Sequence, residues 1–208
     1  MIRIFIPSSG YGTRLKPVTE NIPKPLIRVG DKEYLLYLLE KLSKDVSDRI
    51  TVNVSYLGHK VINLSRREAE GNLSILGEPS PLGVFGGINR LINTFKGDYD
   101  LLVHNSDIYF DGALEAIFKG KGDIILGTVD NGKKDFFVDG ERVESFPGED
   151  SSRKSGKWLG YSGIMLIKND IVKYFRGKNS LFQKLDFIAD FLSICRDKKY
   201  EIGAVQLF

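Results

Sequence analysis

The chain has 208 residues, 42% hydrophobic, 27% charged and 11% aromatic, which suits one globular domain and excludes disorder, collagen-like repetition and coiled coil. Thirty Lys and Arg against 27 Asp and Glu leave a net charge of +3, too mild to mark a nucleic-acid binder. A lone cysteine, Cys195, allows no internal disulfide, the N-terminus lacks a secretory pattern and no apolar run reaches membrane-spanning length, so a cytoplasmic protein with no membrane partner is expected.

Residues 2–7 read as a buried strand, and 34–44 as a helix with Leu35, Leu38, Leu39 and Leu42 on one face. Residues 49–55 are β-branched and strand-like, 60–70 helical, 73–77 a short strand and 86–95 a helix. The apolar run Asp100–His104 predicts another buried strand, followed by a helix near 112–119, capped by Asp111, and a strand over 123–129. Residues 136–145 resemble a small hairpin. Strands are expected over 160–167 and 200–206, with helices at 170–176 and 184–196 between them. The polar stretch Pro147 to Lys157 reads as a surface loop or a substrate lid.

Strands alternating with helices predict an α/β fold, a three-layer Rossmann-like domain with a mostly parallel sheet, occupying residues 1–208 as a single domain. In such sheets ligands sit beyond the carboxyl ends of the strands. The segment Ser8 to Pro17 stands in that position after the first strand. Gly10 and Gly12 allow close approach of a backbone, the N–H groups of such a turn form an anion nest, and Thr13 and Arg14 add a hydroxyl and a cationic fork. That combination suits a triphosphate. The irregular stretch ends in Pro23-Lys24-Pro25, where flanking prolines stiffen the backbone around one lysine suited to bridging phosphates.

Gly10 to Pro25, G-x-G-T-R-L-x-P-x-T-x-x-x-P-K-P, resembles the motif of the sugar-1-phosphate nucleotidyltransferase family, with Ser8-Ser9 where Ala-Ala or Ala-Gly is usual. Val52 to Leu57 is similar to the family's second-strand segment, and Glu78 to Gly83 with Gly86-Gly87 to its base-binding loop. Val103 to Ile108 corresponds to its Asn-Gly-Asp, and Gly160 to Ile164 resembles its sugar-binding strand. The nearest subgroup is the short enzymes acting on mannose-, heptose- or muramate-type sugar 1-phosphates.

The resemblance implies a fold of the nucleotide-diphospho-sugar transferase type and the reaction of an NTP with a sugar 1-phosphate to give an NDP-sugar and pyrophosphate. Ser8, Gly10, Gly12, Thr13 and Arg14 would then bind the nucleotide, the last four cradling its β- and γ-phosphates. Lys24 would contact the α-phosphate and the sugar phosphate, and Asn105 and Gly163 would face the sugar phosphate. Asp107 would bind Mg²⁺. Arg14, Lys24 and Asp107 are thus the expected catalytic residues. Glu78 and Gly83 would read the base, and a carboxylate accepting two parallel N–H bonds leans towards guanine over uracil. The nucleophile is a phosphate oxygen ionised near neutral pH, so no general base is required.

Two positions depart from the family pattern. Ser145-Phe146-Pro147 stands where many members have Glu-Lys-Pro, the nearest cations being Arg153, Lys154 and Lys157. The family's second metal-binding Asp follows the last strand, whereas this chain stops at Phe208, so a second carboxylate is expected from elsewhere or not at all. The alternatives are a catalytically impaired nucleotide-binding subunit or sensor, a nucleotidyltransferase with a non-sugar phosphate acceptor, and a glycosyltransferase, which usually carries Asp-x-Asp. Oligomeric state is left open. Cys195 is expected in the core and His104 in the core or behind the site. Trp158 and Tyr161 are read either as core or as a stacking face for a sugar, and the lysine pairs at 119/121, 133/134 and 198/199 as solvated.

Overall fold

Ile2–Ile6 forms strand β1, every residue after the first buried, and it occupies the middle of a four-stranded parallel array. The computed structural model describes residues 1–45, 49–68, 73–109, 112, 114–149, 155–182, 185 and 188–207. They fall into two compact units, Met1–Tyr109 and Phe110–Phe208.

In the first unit, β1 is followed by three short 3-10 turns, Thr13–Leu15, Val18–Glu20 and Lys24–Leu26, across a stretch that shows no period in sequence. A two-rung hairpin, β2 (Arg28–Val29) and β3 (Lys32–Glu33), leads into α1 (Tyr34–Asp45). The chain continues through β4 (Arg49–Val54), α2 (Gly58–Glu68), β5 (Leu73–Gly77), α3 (Gly83–Thr94) and β6 (Asp100–His104). Helix α3 begins three residues before its expected start, its first turn carrying Phe85 into the core.

The strand order is β5-β4-β1-β6, all parallel. From β1 the chain steps outward twice, to β4 and β5, and then returns to pair β6 on the other side of β1. Right-handed crossovers then put α1 and α2 on one face of the sheet and α3 on the other. Alternation along the strands agrees: a Cβ on Gly87 of α3 would lie 2.7 Å from the Phe5 ring, so Phe5 points to the α3 face and Ile4 and Ile6 to the opposite one. The α3 face of β1 and β4 also holds the buried polar residues Arg3, Thr51 and Asn53. Arg3 donates to Thr51 Oγ1 at 3.3 Å and stacks its guanidinium 4.0 Å from the centre of the Phe95 ring.

The second unit contains α4 (Glu115–Lys119), β7 (Ile124–Val129), the hairpin β8 (Phe136–Asp139) and β9 (Arg142–Ser145), and β10 (Lys157–Ile167). After these come α5 (Asn169–Phe175), the short α6 (Asn179–Phe182), α7 (Ile188–Asp197) and β11 (Ile202–Gln206). Its strands run β10-β7-β11-β9-β8, with β8 pairing back onto the start of β10. Among the described residues of this unit only β7–β11 is parallel; the parallel pairings are concentrated in the first unit. Helix α6 has no counterpart in the sequence reading, four residues being too few to show a period. Cys195 is fully buried on α7, as expected of a core residue, and Phe175 packs 5.2 Å from the rings of both Phe182 and Phe191. The proposed cap Asp111, the cations Arg153 and Lys154, and residues 150–154 of the expected loop lie outside the described residues.

Candidate functional site

The strand order reverses between β1 and β6, and the two segments leaving their carboxyl ends are Pro7–Gly10 and Asn105–Asp107. Ser106 Oγ ties them by donating to Pro7 O at 2.6 Å. In a doubly wound sheet this switch point is where a ligand is received, because the diverging connections leave a crevice. A cleft of about 350 Å³ opens there, entirely within the first unit. Ser8, Ser9, Gly10, Gly12, Thr13 and Arg14 form one wall, Lys24 and Pro25 a second, and Asn105, Ser106 and Asp107 the floor beyond β6. Pro81, Gly83 and Val84, at the start of α3, complete it.

The loop owes its path to a few contacts. Gly12 has φ of +65°, and a Cβ there would lie 2.8 Å from Thr19 Cγ2. Thr19 Oγ1 donates to Gly12 O at 2.8 Å, so the second 3-10 turn braces the first. Tyr56 OH and Lys60 Nζ donate to the carbonyls of Glu20 and Asn21, holding the far end of the loop to α2 and its approach. Lys24 forms an ion pair with Asp107 Oδ2.

The family model described as nucleotidyl transferase matches residues 5–123, a span that contains the whole of this cleft. The chain belongs to the nucleotidyl transferase family. It is 32% identical over 135 residues to the mannose-1-phosphate guanyltransferase of Debaryomyces hansenii, covering 60% of this chain and 37% of that one. It is 28% identical over 186 residues to the D-glycero-alpha-D-manno-heptose 1-phosphate guanylyltransferase of Campylobacter jejuni, covering 84% of this chain and 79% of that one. The chain spans well under half the length of several curated relatives that it matches. Among solved structures, HddC from Yersinia pseudotuberculosis superposes with a TM-score of 0.74 at 22% identity, over 99% of this chain and 90% of that chain. Its complex with GMP-PN gives a TM-score of 0.71 at 21% identity with the same coverage. The fold is therefore the three-layer α/β fold of the nucleotide-diphospho-sugar transferases.

In this nucleotidyl transferase, nine residues singled out in the sequence line one cleft: Ser8, Gly10, Gly12, Thr13, Arg14, Lys24, Gly83, Asn105 and Asp107. Glu78 is not among the lining residues. It is buried, its Oε1 taken by Asn53 Nδ2 at 2.7 Å and its Oε2 by the Leu82 N–H at 3.2 Å. Gly163 lies in β10 of the second unit and does not line this cleft. Lys157 starts the same strand, 2.8 Å from Gln206 Oε1 and 3.4 Å from Asp130 Oδ2. Trp158 packs edge-on to Phe137, and Tyr161 is half-buried, its hydroxyl pKa pushed up by desolvation.

Sequence reasoning did not assign two residues that organise the site. Asn53 signals itself as an amide in a strand of β-branched apolar residues, a position that is unfavourable unless its hydrogen bonds are met. Ser106 carries no such signal. His104 is buried directly before the floor; its Nδ1–H donates to Asn105 O at 3.0 Å, and burial pushes its pKa down to about 4, so it is neutral at pH 7.

A divalent cation fits the donors present. Asp107 supplies a carboxylate, while Asn105 Oδ1 is a buried acceptor with no hydrogen-bond partner among the described residues, which a metal-bound water or a substrate donor would satisfy. No group of three or more His, Cys, Asp or Glu gathers among the described residues. That set matches Mg²⁺, which takes one or two carboxylates and completes its octahedron with phosphate oxygens and water. No helix among the described residues is long and apolar enough to cross a membrane.

Proposed function

We propose that residues 1–208 act as a single nucleotidyltransferase domain that joins an NTP to a sugar 1-phosphate, releasing pyrophosphate. The observation that carries this reading is the meeting of Arg14, Lys24 and Asp107 in one cleft at the strand-order reversal. A phosphate-binding loop, a stiffly held lysine and a carboxylate at a strand end are what two phosphate-bearing substrates require: charge cancellation and alignment, with no proton to abstract.

Gly10, Gly12 and Thr13 offer backbone N–H groups to the β- and γ-phosphates, and Arg14 closes on them with its guanidinium. Lys24 leaves Asp107 when substrates arrive and spans the α-phosphate and the acceptor phosphate. An oxygen of the acceptor phosphate, dianionic above a second pKa of about 6, attacks the α-phosphorus, and the bond to the pyrophosphate oxygen breaks in line. Asp107 would hold Mg²⁺, which when bound supplies charge neutralisation for the phosphates. Asn105 serves the sugar phosphate, and Gly83 the base. GTP and a mannose-type acceptor, mannose or manno-heptose 1-phosphate, are favoured by the two relatives described above.

The test is pyrophosphate release with each of the four NTPs against a panel of sugar 1-phosphates, inositol phosphate and phosphocholine, with Mg²⁺. Turnover with GTP and a manno-configured acceptor is expected. Nucleotide binding without turnover on any acceptor would favour a sensor or subunit. Turnover only with a non-sugar phosphate would move the acceptor class.

A further inference from the structure

Two opposing walls of the cleft, Ser8-Ser9 after β1 and Pro81 to Val84 at the start of α3, are joined beneath by a line of buried polar groups. Asn53, fully buried on β4, accepts the Ser8 N–H through Oδ1 at 2.6 Å. Its Nδ2 donates to Ser9 Oγ at 3.2 Å and to Glu78 Oε1 at 2.7 Å. Glu78 N–H is bonded to Val54 O at 2.8 Å, and Glu78 Oε2 accepts the Leu82 N–H at 3.2 Å. Helix α3 closes over this line at Gly87: a Cβ there would stand 2.8 Å from Asn53 Nδ2 and 3.2 Å from Glu78 Oε1.

We propose that Glu78 is a positioning residue that, through Asn53, sets the spacing between the phosphate-side loop and the base-side loop, and that the base is read by the backbone at positions 81–84. The inference rests on the nucleotidyltransferase reading for what the cleft holds, and reassigns one residue within it. The direction of each bond supports it. Asn53 Oδ1 is committed to a backbone donor, so its NH₂ must face Glu78. A carboxylate accepts a donor on each oxygen, which is what Asn53 Nδ2 and Leu82 N–H together demand. Both donors come from the chain itself, and the carboxylate lies under the wall that a base would contact.

Glu78→Gln sets an NH₂ against either Asn53 Nδ2 or the Leu82 N–H, and turning Asn53 only moves the conflict to Ser8. Asn53→Asp fails in the opposite sense, by facing two carboxylates. Combined, the two changes restore every pairing: the carboxylate at position 53 accepts from Ser8 and from the amide at position 78, whose oxygen accepts the Leu82 N–H.

The experiment measures melting temperature and dissociation constants for GTP, UTP, CTP and ATP in the two single variants and the double variant. Each single variant is expected to melt lower and to bind all four nucleotides more weakly by a similar factor, about tenfold, with their order of preference kept. The double variant should regain both properties. A shift in the GTP-to-UTP ratio on Glu78→Gln that Asn53→Asp does not produce would make Glu78 the base reader. Lowered melting with unaltered nucleotide affinity, or a double variant no better than the worse single one, would equally overturn the proposal. Melting reads the relay whether or not any acceptor is turned over, so a failed swap counts against this inference and absent turnover against the proposed function.

Discussion

Lys24 and Asp107, 83 positions apart, form an ion pair on the floor of the cleft, with side chains 28% and 32% exposed. One arrives from a 3-10 turn after β1 and the other from the end of β6. Their meeting is a consequence of those two strands being neighbours in the sheet. The partly solvated pair contributes little to stability, about 0–1 kcal/mol, so its value lies in what each member can do once they part.

Asp107→Asn is accordingly expected to leave the melting temperature within a few degrees of the parent while lowering pyrophosphate release by at least about 100-fold. Near-parental turnover in that variant would remove Asp107 from the metal and phosphate chemistry. Lys24→Ala should show the same separation of folding from activity.

Arg14 lines the cleft from the first 3-10 turn and buries nothing. Arg14→Ala should therefore fold normally and lose about tenfold or more in kcat/KM for the NTP, an effect of removing a charged donor from phosphate. Steady-state kinetics with the NTP varied at saturating acceptor check this; unchanged constants would take Arg14 out of the phosphate cradle.

Gly12→Ala meets two obstacles, a φ of +65° and Thr19 Cγ2 at 2.8 Å. The loop must shift to accept the methyl group, at a loss of about 1–3 kcal/mol, with the Thr19-to-Gly12 hydrogen bond disturbed as well. Urea titration should show a lower midpoint. Thr19→Ser, which keeps the hydroxyl and removes the crowding methyl, should recover part of the loss in the double variant.

Cys195 is fully buried, and burial pushes its thiol pKa up to about 12. The folded protein should leave this thiol unmodified by a thiolate-selective reagent at pH 8, and denaturant should expose one reactive group per chain. Because the folded pKa lies above its unfolded value, the thiol opposes folding only as pH rises beyond the unfolded pKa, so this group adds no acid sensitivity. Rapid labelling at pH 8 without denaturant would contradict its burial.

Much of the candidate site was legible before any fold was known. The loop Ser8–Pro25 announced itself by what it lacks, a period, together with what it has: glycines where a backbone must come close and prolines around one lysine. Asp107 was legible because a carboxylate ending an apolar strand needs a reason. The surroundings of Glu78 were not legible, for a physical cause. Nothing in the residues around a Glu beside a Pro-rich turn says which way it faces, and packing against Gly87 and Asn53 turns it inward. Ser106 was silent, since a small hydroxyl gains meaning only from the carbonyl opposite it, and that carbonyl belongs to Pro7.

By itself the sequence determined the alternation of strands and helices, the buried character of β1 and β6, and the chemistry of the loop between Gly10 and Pro25, because periodicity and residue type are local properties. The tertiary structure decided which segments become neighbours. The order β5-β4-β1-β6 places the ends of β1 and β6 side by side, so that Arg14, Lys24 and Asp107 share one cleft and Asn53 and Glu78 lie beneath it. Contacts between residues 25 to 99 positions apart are set by how the crossovers wind and how side chains fill the interior. No stretch of sequence, read on its own, carries that information.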